Sequence, residues 1–473
     1  MPQPFLDLSE EVPASARPPV LPWILVCLGL ACLALLGTPS GIYEETLLAL
    51  TIVIVGCLLV FPFCAQPALG LTILIPAVLL PNLYVGAQSR ASVAFLAMPV
   101  LFVAWLLYRK KTGPLASWVK SRALLPLGLL ALCSVLALIV GQYPWLPASG
   151  APLLAQLGGL GVFLSSAAAF VIAAHEFRDP RWLRRTVWLL LAVGAVVVAE
   201  PLVSFIGYGG FGFFGEKGLG SLFWTWLMAF ACAQAFINRR LSMRWRLACM
   251  CLIVSSLFLT LGLWSDWASG WLPGCVAMFV IIALRYRRAA LVFLFASLIV
   301  TLSFPVVTDW IWSADQQYSV KTRVAAAEVL WQVAGANPLT GLGPANYYHY
   351  TSLYPVLGWY VPFSSHNNYI DVFLQTGILG SACLMWFWAE LGIIAWKLRH
   401  RATEGFPKAY VYGALGGLAG TLAAGVLGDW FLPFVYNVGI AGFSSSILAW
   451  VFLGGLVALE QSIGLDSKTH GTP

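Results

Sequence analysis

Apolar runs of roughly 17 to 25 residues recur along the chain, each followed by a short polar break. A run of that length crosses a hydrocarbon core of about 30 Å as a helix. The pattern predicts fourteen spans. The first seven lie near 21–37, 45–63, 67–82, 91–108, 123–141, 154–174 and 186–206, and the next four near 221–237, 247–263, 271–284 and 289–307. The last three lie near 368–397, 409–427 and 438–459. The third and tenth are short enough to be re-entrant or tilted. The twelfth is about thirty residues long and should tilt or protrude. One stretch, Asp309 to Asn368, departs from the pattern as the longest segment that is not continuously apolar. Inside it, Lys321 to Gly335 sets Val324, Ala327, Leu330 and Trp331 at helical spacing. That spacing predicts an amphipathic helix lying on the membrane surface, with Trp331 as its interfacial anchor.

Composition turns this pattern into a class. The chain is 60% hydrophobic and 10% charged, against about 25% charged in soluble domains. The reading is an all-α, polytopic transmembrane bundle of about 12–14 spans with one large extracytoplasmic loop. Its parts are a cytoplasmic tail (1–20), a bundle (21–308), the loop (309–367), C-terminal spans (368–459) and a second tail (460–473). The acidic, proline-rich first twenty residues lack the basic region of a cleavable leader, so the first span is expected to stay in place.

Charge orients the spans. Clusters at 109–122, 178–185, 239–246, 285–288 and 397–408, with Arg17 and Lys468, hold 22 of the 26 Lys and Arg residues, and they fall on alternate connections. By the positive-inside rule that side is cytoplasmic, both termini included, and the long loop is outside. The net charge of +7 belongs to these flanks, so it does not argue for nucleic acid. The ten cysteines lie in or beside apolar runs without metal-ligand or disulfide spacing, and read as small buried hydrophobes.

Few polar groups remain outside. Of five histidines only His349 and His366 fall in the loop. His366 stands just before the twelfth span, where Ser365 or Asn367 can cap the helix and Asp371 suits the positive end of its dipole. There the imidazole either is merely interfacial or, held neutral, serves as a general base or hydrogen-bond partner. Arg323 either snorkels at the surface or grips phosphate with its planar fork. The run Asn337 to Pro344 is glycine-rich but lacks the Lys-Ser/Thr of a phosphate loop, and reads as a rigid turn that aims its neighbours. A flexible aromatic loop at 209–217 ends in Glu216-Lys217.

Taken in order, Arg323, Trp331, Asn337-Pro338-Leu339-x-Gly341-x-Gly343, Tyr347, His366-Asn367-x-Tyr369 and Gln375-x-Gly377-x-x-Gly380 resemble the O-antigen ligase and O-antigen polymerase superfamily of membrane glycosyltransferases. The resemblance implies a GT-C-like bundle in a bacterial inner (plasma) membrane, multi-pass, with the large loop periplasmic or extracellular. It implies inverting, metal-independent transfer of a glycan, without a cofactor. The donor would be a polyprenyl (undecaprenyl-type) phosphate or pyrophosphate, and the acceptor a hydroxyl on a lipid, polysaccharide or protein. His366 would orient or deprotonate the acceptor, and Arg323 would bind the donor's phosphates. Ligases carry an arginine near the position of Glu216-Lys217, which makes Lys217 the stand-in cation. Glu216, Lys321, Tyr347, Asn367 and Tyr369 complete the implied binding set. Two other functions share this topology, a lipid-linked glycan flippase and a non-catalytic partner in a polysaccharide assembly complex. A flippase would need ionisable residues along a path through the spans, for which Glu200, Asp371 and Glu390 are the candidates.

Overall fold

The computed structural model describes residues 66–80, 82–85, 89–112, 118–207, 219–265, 267–288, 290–292, 295, 299 and 314–469. The tail 1–20, the spans expected at 21–37 and 45–63, most of that at 289–307, and residues 470–473 lie outside the described residues. Each of the other expected spans is a helix. In chain order they are α1 (Pro67–Ala77), α2 (Val93–Thr112), α3 (Leu124–Val140), α4 (Leu153–Glu176), α5 (Pro180–Phe205) and α6 (Ser221–Phe236). Then come α7 (Met243–Leu257), prolonged by a π-helical turn at Phe258–Leu263, and α8 (Ala268–Arg285). The loop region holds α9 (Ala314–Ala334) and the short α10 (Tyr347–Tyr350), and α11 (Asn368–Arg401), α12 (Phe406–Leu427) and α13 (Phe443–Thr469) close the chain. A small antiparallel hairpin, β1 (Leu83–Val85) with β2 (Ser89–Ala91), precedes α2. Eight of the described helices are long and apolar enough to cross a membrane. The protein is a polytopic helical bundle.

The bundle is built around α6. Its sequence, SLFWTWLMAFACAQAF, is apolar on every face, and all but its last residue are buried, as expected of a helix surrounded by others. Helices α7, α8, α12 and α13 enclose it. Small residues on α12 allow the close approach: a β-carbon at Gly420 would come within 2.6 Å of the Pro273 carbonyl oxygen on α8. Large side chains fill the remaining space, with Phe230 4.7 Å from Phe452 and Trp226 5.3 Å from Phe452 between ring centres.

Element order separates two ends. Helix α11 begins beside His366 and finishes in Arg399-His400-Arg401. At its finishing end, Arg184 lies over Phe406, Arg240 approaches Gly405, and Gln461 donates to the Lys120 carbonyl. Four of the basic clusters therefore gather at the end of the bundle opposite His366.

Two expectations change. The long twelfth span is not one continuous helix: Gly377 (φ 66°, ψ −167°) breaks α11 after its first nine residues. The amphipathic helix also carries a buried stripe beside the outward positions that its spacing marked. Val329, Leu330, Val333 and Ala334 are buried, whereas Val324 and Trp331 point outward, and the Trp331 ring rests 5.4 Å from Phe373 of α11. Packing against α11 and the loop decides which stripe is covered.

Candidate active site

The break in α11 organises the outer end. A helix that stops at Gly377 leaves carbonyls before it and N–H groups after it without intrahelical partners. The glycine-rich run supplies them. Leu342 and Gly343 donate to the carbonyls of Leu374 and Gln375, while Ile378 and Leu379 donate to those of Pro338 and Leu339. This pairing needs bare backbone: at Gly341 (φ 75°) a β-carbon would meet the Gln375 carbonyl oxygen at 2.5 Å. Asn337 folds the turn by donating to Thr340 Oγ1 and to the Gly341 carbonyl, both at 2.8 Å. The rigid turn read in the sequence is thus a plug seated in a broken helix. Gln375 locks it, accepting from the Ala345 N–H at 3.2 Å. Asn346, fully buried, ties it to the α3–α4 connection by accepting from Ala151 N–H and donating to Gly141 and Leu342 carbonyls.

Above the plug, the start of α11 is fixed from two sides. Asn367 is the cap: its Oδ1 accepts from Tyr369 N–H (2.9 Å) and Ile370 N–H (3.2 Å). Asp371, buried, accepts from Ser365 Oγ at 2.6 Å and from the Tyr347 hydroxyl in a very short contact. Tyr347 in turn accepts from the Ser365 N–H at 3.2 Å and stacks on Phe434. Burial, reinforced by the Asp371 charge, pushes the Tyr347 phenol well above its ordinary value, so its hydroxyl stays protonated and donates. Tyr347 is fully buried, and its hydroxyl holds the backbone beside His366.

Between these anchors His366 is exposed and adopts φ 50°, a left-handed conformation uncommon for a side chain larger than glycine. Such outliers persist where the surroundings over-determine them, and they cluster at functional sites.

The third wall comes from the connection between α12 and α13, residues 428–442. Asn368 stitches it to α11, donating to the Leu432 carbonyl at 2.7 Å and accepting from Phe431 N–H at 2.9 Å. Asp429, fully buried, accepts from the N–H groups of Phe434 (2.7 Å) and Val438 (3.3 Å) and from Asn437 Nδ2. The same Asn437 nitrogen donates to His366 Nδ1 at 2.9 Å. The result is a directed chain, Asp429 to Asn437 to His366. With the carboxylate facing it, Asn437 must turn its NH₂ both ways, so His366 Nδ1 is an acceptor and the neutral ring carries its proton on Nε2. Burial pushes the Asp429 carboxyl up from its ordinary value, and the donated hydrogen bonds pull it back.

The remaining expected site residues fall as follows. Arg323 lies on α9, and Lys321, on the same helix, is exposed. Glu216 and Lys217 lie outside the described residues, as does the Arg323 side chain. Tyr369 is half-buried, and its hydroxyl donates to the Leu422 carbonyl at 2.9 Å. Asn367 Nδ2 donates to the Val426 carbonyl. His349 meets the Tyr436 hydroxyl at 3.1 Å, and burial lowers its pKa from the ordinary value. His175 is buried at the other end, where its Nε2 accepts from Val119 N–H, a structural use of the ring. Among the described residues no three His, Cys, Asp or Glu side chains gather as metal ligands.

Sequence reasoning passed over Asn346, Asn368, Asp429 and Asn437. A signal was available for one of them: Asp429 is the sole charged residue between Lys408 and Glu460.

Bundle, plugged helix break and histidine mouth together define a multi-pass membrane protein with a polar site at one end. Residues 253–385 match the family model described as O-antigen ligase. The resemblance drawn from the motifs therefore holds: over this stretch the chain is O-antigen ligase-like, and the match points to glycan transfer in a membrane. The matched stretch contains Arg323, His366, Asn367 and Tyr369, whereas Asp429 and Asn437 lie beyond it. A comparison with curated proteins returned no match for the chain.

Proposed function

We propose that this protein transfers a glycan from a polyprenyl phosphate or pyrophosphate donor to an acceptor hydroxyl on the extracytoplasmic side of a bacterial inner membrane, with inversion and without a metal. The observation that carries the reading is His366 at the α11 mouth, held by Asn437 and Asp429. The acceptor hydroxyl displaces the Asn437 amide from Nδ1, its oxygen attacks the anomeric carbon, and its proton passes to that nitrogen. The bond from the anomeric carbon to the phosphate oxygen breaks, and the donor phosphate leaves as its anion. Until that displacement Asp429, acting through Asn437, holds the ring with Nδ1 as the acceptor, and its nearby carboxylate favours the imidazolium that forms. Arg323, with Lys217 in place of a second arginine, binds the donor phosphates and the charge that develops on them.

A lysine is a point charge without the two-pronged grip of arginine, so one arginine and one lysine favour a monophosphate over a pyrophosphate donor. Charge-assisted contacts contribute roughly 1.5–3 kcal/mol each. Arg323→Ala is expected to weaken donor binding or turnover by about ten- to a hundredfold. The assay is transfer from purified mono- and pyrophosphate polyprenyl donors by protein in nanodiscs. Full activity of the Arg323→Ala, Lys217→Ala double variant would eliminate this donor site.

A further inference from the structure

At the end of the bundle opposite His366, α5, α7 and the start of α12 line a cleft of about 1670 Å³, larger than the roughly 300–1,000 Å³ of a typical small-molecule site. Its mouth and its depth differ in chemistry. Arg184, Arg185, Arg239 and Arg240 line the mouth, all of them exposed. The facing carboxylate, Glu404, is ion-paired with Lys408 at 2.5 Å, so the mouth stays strongly cationic. The rest of the lining is largely apolar: Trp188 and Leu191 from α5, Trp245 and Leu252 from α7, with the Trp188 and Trp245 rings 5.3 Å apart. Asn238 also lines the cleft and is 6% exposed, and its Nδ2 donates to Gln234 Oε1 at 2.7 Å.

We propose that this cleft holds one anionic phospholipid, its phosphate on the four arginines and an acyl chain along the apolar faces of α5 and α7. The cleft combines arginine, which matches phosphate oxygens in pairs, with an apolar slot along two membrane helices, and basic pockets between spans bind lipid headgroups by this combination. A free anion would use the mouth and leave the slot unfilled. This site is independent of the proposed transfer chemistry.

The test is native mass spectrometry of the full chain in neutral detergent, titrated with phosphatidylglycerol, phosphatidic acid or phosphatidylcholine. Phosphatidylglycerol is expected to bind as one tight copy, at least about tenfold more strongly than phosphatidylcholine. Arg184→Gln, Arg185→Gln, Arg239→Gln, Arg240→Gln together should abolish that preference. Arg287→Gln, Arg288→Gln, which removes charge near the same end outside the cleft, should keep it. Leu252→Trp fills the slot while sparing every arginine and should weaken binding too. Equal binding of phosphatidylcholine, equal loss in the Arg287/Arg288 control, or retention of the lipid in both the four-arginine and Leu252→Trp variants would overturn the proposal. Displacement of the lipid by inorganic phosphate at similar concentration would show a free-anion site instead.

Discussion

His366 is held in a backbone conformation it would not choose, by partners far apart in sequence. Ser365 and Tyr347 fix its N-terminal side, Asn367 caps the helix after it, and Asn437 reaches its ring from the α12–α13 connection. His366→Ala should lower transfer by about 10²–10⁴-fold, the usual worth of a general base, with membrane expression unchanged because the residue is exposed. His349→Ala should be milder, and equal small losses in both variants would refute the assignment. Asp429→Asn tests the chain behind the ring. Its oxygen would keep the Phe434 and Val438 N–H groups, which turns its NH₂ against the NH₂ of Asn437. Asn437 would then flip and put the imidazole in the wrong tautomer. Transfer should fall about ten- to a hundredfold, with an altered pH profile, and unchanged rates would remove Asp429 from the account. Stability carries its own sign. A carboxyl whose folded-state pKa is raised gives stability below its unfolded value, and loses it as pH rises through the folded one. Thermal unfolding across pH should therefore show wild type losing ground relative to Asp429→Asn as pH rises from about 4; the opposite slope would show that the donated bonds outweigh burial. His366 was legible because it lies in a recognisable motif beside a helix start. Asn437 was not, because an asparagine between two apolar runs looks like any turn until folding brings it 2.9 Å from the ring.

The elements that mattered were those the hydrophobic pattern described least well. Periodicity located the spans because burial in lipid demands long apolar runs, and α6 shows how strongly: nearly every residue of it is covered. Periodicity could not show that α11 breaks at Gly377, since the residues on both sides remain apolar and helical in pattern. Nor could it show that residues 338–343 repair that break, which is a long-range backbone match. Gly377→Ala tests this element. A side chain at φ 66°, ψ −167° costs about 1–3 kcal/mol, and its β-carbon would also collide with the Leu339 carbonyl. The variant should lose thermal stability and transfer together, whereas Gly392→Ala on the same helix, where a β-carbon meets nothing, should lose neither. Equal behaviour of the two would show that the plug does not matter.

For the whole molecule, charge clusters at one end and the histidine mouth at the other fit the orientation proposed from the positive-inside rule. Cysteines at Ser352 and Ser242, in a cysteine-free background, should respectively label and resist an impermeant thiol reagent on intact cells. The reverse pattern would invert the topology. Among the described residues a flippase path finds little support: Asp371 and Glu390 lie on opposite sides of the break in α11, and the Glu390 carboxylate accepts from the neighbouring Trp386 at 3.1 Å. The central claim is chemical transfer at His366, and the most direct measurement is the fate of lipid-linked glycan in cells whose sole copy carries His366→Ala at wild-type expression. The account predicts that polyprenyl-linked donor accumulates on the outer face while glycosylated acceptor disappears. Accumulation on the inner face would make the protein a flippase, and undiminished product would make it a non-catalytic partner; either result contradicts the account.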